Sequence, residues 1–232
     1  MIDLHCHILP GVDDGPKELE ESLAMARLAA QDGIRTIVAT PHLVPHAFSE
    51  HPWIAESVAR LNAACREAGL PLEILPGAEV PAVPEVLEHL AALPRLGGGG
   101  YVLLEPPLVG LPNYLEELVF GLQLAGVKVV LAHPERTQLM RVKPEVFQKL
   151  AERGCLLQIN ADSLVSRAGW VTRRLTQKLL RDQPGVVLAT DAHDAVYRPP
   201  LLTRAAAALR RLGGEARFRE MTVDRPGEVV GG

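Results

Sequence analysis

Short apolar segments alternate with segments of helical periodicity along the whole chain, and glycine stands at many of the junctions. Leu19, Leu23 and Ala26 recur at the spacing of one helix face, and Gly33 ends that pattern. Seven apolar segments have the length of strands: residues 2–5, 36–40, 73–75, 101–104, 128–132, 156–160 and 186–190. Further helices are predicted between and after them, at residues 53–68, 84–92, 114–125, 144–153, 171–181 and 202–212.

This alternation of strand and helix predicts an α/β protein whose parallel sheet is covered on both faces. Seven units in 232 residues leave roughly 30 residues each, the size of a βαβ unit. A closed or distorted barrel and an open, doubly wound sheet both fit this pattern. No linker divides the chain, so we expect one domain over residues 1–232. Residues 215–232 are expected to form a tail packed on the surface.

Residues that can bind metal ions follow most of the predicted strands. They are His5, His7, His42, Glu79, Glu105, His133, Asp191 and His193. Asn160 also follows a strand, but we set it apart from the ligands. The carboxyl ends of parallel strands meet at one edge, where α/β folds form their sites. Because the set includes five of the eight histidines of the chain, we expect these side chains to converge.

The spacing and the chemistry of this set favour metal binding. In His5-x-His7 both imidazoles lie on one face of a strand, with Cys6 on the other, and Asp191-x-His193 repeats the spacing. Histidine and carboxylate ligands without cysteine suit Zn²⁺, Mn²⁺ or Fe²⁺. There are more ligands than one ion uses, so we predict several ions that share carboxylates, an arrangement suited to phosphoryl transfer.

Single members of the set have simpler interpretations. One HxH pair can belong to a core, and Glu79 alone can belong to a salt bridge. The whole set argues for metal, since unpaired buried charges would not gather at one edge without a partner. Arg136 and Arg198 each follow a ligand-bearing strand, and a guanidinium suits phosphate oxygens. From spacing alone, an ordinary surface role fits these two arginines equally well.

Composition and cysteine positions exclude several classes of protein. The net charge of -4 supplies no basic field for a nucleic acid, so such a partner is not expected. No apolar run reaches the ~18 residues of a membrane span, which predicts a cytoplasmic protein without membrane insertion. None of the three cysteines is followed by the arginine that a Cys-x5-Arg phosphatase loop requires. The sixth residue after each of them is Val12, Pro71 or Ala161.

Seven segments occur in order along nearly the whole chain: IDLHCHILPGVDDG (2–15), ATPH (39–42), GAE (77–79), LEP (104–106), AHPER (132–136), LQINA (157–161) and TDAH through RPP (190–200). Together they resemble the PHP superfamily, named for polymerase and histidinol phosphatase. Within it, the chain is similar to the bacterial tyrosine-protein phosphatases of capsular and exopolysaccharide loci. The long first motif and the His-Pro-Glu-Arg segment carry this narrower resemblance.

The resemblance implies a distorted seven-stranded (β/α)7 barrel, similar to a TIM barrel, with up to three divalent metal ions. Manganese is expected, with iron, zinc or cobalt as alternatives. The resemblance also adds Asp14 to the ligands, although the sequence pattern alone fits this residue equally well as part of a turn that starts a helix. It gives Arg136 and Arg198 phosphate-binding roles. The implied ligands are His5, His7, Asp14, His42, Glu79, Glu105, His133, Asp191 and His193.

The activity implied by the resemblance is hydrolysis of phosphotyrosine by a metal-bridged hydroxide. The implied substrate is a bacterial tyrosine kinase that controls surface polysaccharide synthesis. A related enzyme acting on another phosphate ester, such as histidinol phosphate or a nucleic-acid end, is the first alternative. A binding module that keeps the metals for structure is the second, and the complete set of ligands disfavours it.

Overall fold

Eight parallel strands form the centre of the protein, whose computed structural model describes residues 1–165, 169–183 and 185–231. The strands form one sheet of three, in the order β1-β2-β3, and one of five, in the order β4-β5-β6-β7-β8. Their bounds are Ile2–Cys6 (β1), Thr36–Ala39 (β2), Glu73–Pro76 (β3), Glu79–Pro81 (β4), Tyr101–Glu105 (β5), Lys128–Leu131 (β6), Leu156–Asn160 (β7) and Val186–Ala189 (β8).

Helices connect the strands and cover the sheets. The α-helices are Leu19–Asp32 (α1), Pro52–Glu67 (α2), Leu115–Leu124 (α3), Gln138–Val142 (α4), Glu145–Glu152 (α5), Trp170–Asp182 (α6), Ala206–Arg219 (α7) and Arg225–Gly231 (α8). The helix predicted at residues 84–92 is a shorter 3₁₀ helix, Pro84–Glu88. Within the described residues, no helix combines the length and the apolar character that crossing a membrane requires.

The predicted α/β class with parallel strands is confirmed, but the predicted count of seven strands is wrong. The expected third strand, residues 73–75, corresponds to β3, which pairs with β2. After Gly77 and Ala78 follows a further strand, β4, which the sequence analysis did not predict and which pairs with β5. A Cβ on Gly77 would lie 2.7 Å from Val38 Cγ1 and 3.1 Å from Leu96 Cδ2, so the chain passes here only without a side chain.

The two sheets adjoin at both edges through isolated contacts rather than through continuous strand pairing. Cys6 of β1 forms a parallel bridge with Ala192, just after β8, and His42, after β2, forms one with Glu79 of β4. The His7 N–H donates to the Ala192 carbonyl at 2.8 Å. The strand pairing of the described residues therefore shows two neighbouring parallel sheets, which bridges join at both edges.

The pairing of β1 with β2 contains a β-bulge next to His5. The register with β2 shifts between Asp3 and Cys6, so three steps along β1 face two steps along β2. Leu4 packs in one buried cluster and Cys6 in the other, although regular alternation would place them on the same face. The extra residue re-aims the side chains beyond it, as bulges commonly do beside functional sites.

The C-terminal residues are helical and partly buried, so the predicted surface tail at residues 215–232 is wrong over the described part. Helix α7 continues beyond the expected stop, with a kink at Gly214, whose φ is 74°. Met221 and Val229 are fully buried, and this apolar burial explains why the chain does not end as a loose tail. Val229 joins the cluster of Leu4, and Arg225 Nη1 donates to the Val186 carbonyl where β8 begins. Helix α8 therefore covers the amino ends of the strands.

Replacing Gly77 with alanine tests whether the division between β3 and β4 needs glycine. We expect Gly77→Ala to lower the free energy of unfolding by about 1–3 kcal/mol, because the new methyl group meets fully buried side chains. The matched control is Gly227→Ala in α8, where no atom outside the helix lies within 4 Å of the added Cβ. The control should be neutral or stabilising. Equal denaturation midpoints for Gly77→Ala and the unchanged protein would contradict this account.

Candidate metal centre

The structure brings all nine predicted ligands together at the carboxyl ends of the strands. Their donor atoms form four overlapping groups, and within each group the atoms lie within 4.8 Å of one another. The groups are His7, Asp14, His42 and His193; His5, Glu79 and His133; His5, His7 and Asp191; and His42, Glu79 and Glu105. Because several residues belong to two groups, the arrangement suits neighbouring ions that share ligands.

Glu79 lies at the centre of the cluster, and its two oxygens face different pairs of histidines. Its Oε1 lies 3.0 Å from His133 Nε2 and 3.3 Å from His5 Nε2. Its Oε2 lies 3.1 Å from His42 Nδ1 and 3.4 Å from His7 Nε2. Burial acts to raise the pKa of Glu79, but His5 and the hydrogen bond from His133 outweigh it and hold the pKa well below its usual value. A buried ionised carboxylate in this position can bridge two cations.

Unsatisfied atoms and strained backbone support the fit between this site and metal ions. Glu79 Oε2 is buried and lacks a hydrogen bond of good geometry, and its near neighbours are the imidazoles of His42 and His7. A buried carboxylate oxygen is costly unless positive charge compensates it, and a metal ion or a protonated imidazole can supply that charge. Among the described residues, positive φ occurs outside glycine only at His133, with 29°, and Asp191, with 53°. Such strain is typical of functional sites, where the surrounding structure holds it.

Two buried residues that the sequence analysis did not select orient the first pair of histidines. His7 Nδ1 donates to Asp13 Oδ2 at 2.7 Å, and His5 Nδ1 donates to Gln158 Oε1 at 2.9 Å. These bonds leave both Nε2 atoms directed at the cluster, as metal-binding histidines require. A signal was present for Gln158, since it is a polar residue inside an otherwise apolar strand.

A chain of two amides connects His5 to Asp191. Gln158 Nε2 donates to Asn160 Oδ1 at 2.8 Å, and Asn160 Nδ2 donates to Asp191 Oδ2 at 2.7 Å. The Asn160 backbone N–H in turn donates to Glu135 Oε1, inside the His-Pro-Glu-Arg segment. Asn160 therefore contacts Asp191, and the two amides couple the orientation of two predicted ligands, His5 in β1 and Asp191 after β8.

Both predicted phosphate-binding arginines lie against Asp191. Arg136 Nη1 is 2.6 Å and Arg198 Nη2 is 2.7 Å from Asp191 Oδ2. Burial acts to raise the pKa of Asp191, but His5, His133 and Arg198 lower it far below its usual value. The two guanidiniums are partly exposed, so their remaining N–H groups can reach a ligand that enters from solvent.

Exposure divides the ligands into an inner and an outer group. His5, His7, Glu79, His133 and Asp191 are almost completely buried. On the outer side, the Asp14 side chain is 60% exposed and that of His42 is 40% exposed. A ligand can therefore approach the cluster from this side, while the inner residues stay fixed by the strands.

Cysteine does not take part in this arrangement. Cys6 lies between His5 and His7 but is buried in the other face of the strand, with its Sγ 3.9 Å from the Ala192 carbonyl. Burial raises the pKa of its thiol well above the usual value, which suppresses the reactive thiolate. Cys65 and Cys155 are also buried. The site therefore points to metal chemistry and not to a thiol nucleophile.

Parallel strands with a histidine and carboxylate cluster at their carboxyl ends define an α/β protein with a candidate metal centre. The chain belongs to the CpsB/CapC family of capsular polysaccharide synthesis, whose family model matches residues 1–231. The matched range includes both sheets and the positions of all nine clustered side chains.

Curated relatives and a solved structure agree with this assignment. The chain is 38% identical over 201 residues to the tyrosine-protein phosphatase YwqE of Bacillus subtilis, covering 85% of this chain and 79% of YwqE. It is 30% identical to the tyrosine-protein phosphatase CpsB of Streptococcus pneumoniae, covering 99% and 98% of the two chains. A crystal structure described for YwqE and CpsB as "unique metal-dependent tyrosine phosphatases" superposes with a TM-score of 0.91 at 34% identity, covering 99% of this chain and 94% of the other.

Metal binding should release protons, because histidines of the cluster hold them in the metal-free chain. Burial acts to lower the pKa of His5, but Glu79 and Asp191 raise it to about 10, and a hydrogen bond to Glu79 raises that of His42 to about 9. An imidazole must be neutral at the nitrogen that binds a metal. We therefore expect Mn²⁺ affinity to rise as pH increases from 6 to 8. Calorimetric titration in two buffers of different ionisation enthalpy measures the release, and equal heats in both would contradict it.

Replacing Gln158 with methionine tests the amide chain behind the ligands. Gln158→Met keeps the length of the side chain but removes its hydrogen bonds to His5 and Asn160, so we expect metal affinity to fall about 10–100-fold. Metal content after dialysis, measured by mass spectrometry, reports this directly. Gln148→Met on the exposed face of α5 is the matched control and should bind metal normally. Unchanged affinity in both variants would show that the amides do not support the site.

Proposed function

We propose that this protein is a metal-dependent phosphatase that hydrolyses phosphotyrosine in proteins. The observation that carries the proposal is the placement of Arg136 and Arg198 beside a cluster of nine histidine and carboxylate side chains. The similarity to tyrosine-protein phosphatases over most of the chain supports the substrate class. The ligand roles of the nine clustered residues and the phosphate-binding roles of the two arginines are part of this proposal.

Each part of the site has a role in the proposed reaction. When bound, the metal ions would lower the pKa of a water molecule and withdraw charge from the phosphoryl oxygens. Arg136 and Arg198 bind and orient the phosphoryl group from the pocket side, where their planar donors match its oxygens. Gln158, Asn160 and Asp13 keep the histidine and aspartate ligands in place. Since a phenolate leaves with a conjugate acid of pKa about 10, the site needs little general-acid help.

Finer features of the proposal follow from the same observations. We propose that the two adjoining sheets together form one distorted barrel in a single domain, because bridges join them at both edges. The mixed histidine and carboxylate set suits up to three ions, with manganese as the expected metal. The family description, capsular polysaccharide synthesis, supports a bacterial tyrosine kinase of that process as the substrate.

Hydrolysis of a phosphotyrosine peptide before and after chelation tests the proposed function. We expect activity to be lost with chelator, restored by Mn²⁺ and unchanged by thiol alkylation. His5→Ala should reduce turnover at least about 100-fold, since it removes a ligand from two of the donor groups. The control variant is His89→Ala, whose ring packs edge-on against Phe48 away from the cluster.

Parallel assays on histidinol phosphate and on single-stranded DNA separate the alternatives. Faster turnover of either one than of the peptide would replace the substrate class but keep the metal site. Activity that survives complete removal of metal, or near-normal activity of His5→Ala, would refute the proposed site.

A further inference from the structure

A pocket of about 380 Å³ lies beside the metal centre and is larger than the binding of a phosphoryl group requires. Its volume falls at the lower end of the range for small-ligand sites, about 300–1,000 Å³. Two of its walls are the arginines already described, and a third arginine lines it as well. The lining that matters here is Arg136, Arg141, Asp162, Tyr197 and Arg198.

The charge of this pocket is positive. Asp162 is the acidic residue of the lining, and it forms an ion pair with Arg204 at 3.3 Å. Arg136 and Arg198 contact Asp191 of the metal centre. Arg141 is different, because within the described residues its side chain forms neither an ion pair nor a hydrogen bond. An exposed arginine without a partner on the wall of a binding pocket is available to a ligand.

A rigid turn fixes Arg141 relative to the phosphate-binding Arg136. Thr137, between them, is fully buried, donates from Oγ1 to the Pro134 carbonyl at 2.8 Å and accepts from the Met140 N–H at 3.0 Å. These bonds start helix α4, which carries Arg141 in its only turn. The two guanidiniums are therefore presented to one pocket from a single short segment whose conformation does not depend on the ligand.

A second segment of the chain, which ends at Arg198, supplies an aromatic ring to the pocket. Tyr197 is 78% exposed, lines the same pocket and directly precedes Arg198. A phenyl ring bound with its phosphate at Arg136 and Arg198 would lie among these side chains, where Tyr197 offers an aromatic contact. The chain on either side of that phenyl ring then passes along the rim, within the reach of Arg141.

We propose that Arg141 is a specificity-determining residue, which binds the carboxylate of an aspartate or glutamate close to the phosphotyrosine of the substrate. This inference rests on the proposed function and adds a substrate class to it, namely acidic phosphotyrosine segments. An arginine matches a carboxylate with two parallel hydrogen bonds. Since the pair forms at an exposed rim, we expect a preference of roughly two- to fivefold in kcat/KM, expressed mainly in KM.

Two phosphotyrosine peptides of identical length test the inference. One carries glutamate at the positions flanking the phosphotyrosine, and the other carries glutamine there. The Mn²⁺-loaded protein should hydrolyse the acidic peptide roughly two- to fivefold more efficiently, and added salt should reduce the difference. In Arg141→Gln the ratio should fall to about one. Arg60→Gln, which removes an exposed arginine of α2 outside the pocket, is the matched control and should keep both the ratio and the activity.

Charge reversal distinguishes recognition from a structural role. Arg141→Glu should prefer a third peptide with lysine at the flanking positions, a change of sign that loss of stability does not produce. Binding of fluorescent acidic and neutral peptides to the chelated protein gives a second readout that does not depend on turnover. If the unchanged protein binds both peptides equally, or if Arg141→Gln keeps the preference, the role of Arg141 is refuted while the proposed function stands. Hydrolysis of none of the peptides by the unchanged protein would instead refute the proposed function.

Discussion

Glu79 is an ionised carboxylate with almost no contact with solvent, and it is surrounded by the imidazoles of His5, His7, His42 and His133. Each of these groups would be poorly stable alone in the interior. Together they compensate one another, and a cation between them would satisfy the atoms that still lack partners. The remaining structure depends on this constraint, because β1, β2, β5, β6 and β8 must all end close to Glu79 for their histidine and carboxylate side chains to contact one another.

Parallel strands meet this requirement, and the irregular features of the fold concentrate where the strands end. The bulge in β1 re-aims its histidines, the break at Gly77 lets one segment pair with two sheets, and the positive φ values occur at His133 and Asp191. Gly15 lies so close to the His7 carbonyl that a side chain there would collide with it. Regular structure supplies stability, whereas these departures supply the geometry of the site.

The site is asymmetric in a way that suits its proposed reaction. The inner predicted ligands are buried, and His7 and His5 donate hydrogen bonds to Asp13 and Gln158, which hold the two imidazoles in place. Outer ligands and arginines remain accessible. Preorganised donors on one side and an open, positively charged pocket on the other separate the binding of metal from the recognition of substrate.

Much of this protein follows from its sequence alone. The alternation of apolar strands and helices determines an α/β fold, since these periods bury their residues in only one way. Residues directly after parallel strands must approach one another, and for this reason eight of the nine clustered side chains could be selected from their positions in the chain, whereas Asp14 was selected only through the resemblance to a known family. The tertiary structure decided what depends on distant contacts. These include the division of β3 from β4, the burial of the C-terminal helix, and the parts that Asp13, Gln158 and Arg141 play. Asp13 and Gln158 act through side chains at a separation of 6 and 153 residues, and no local pattern reports such a contact.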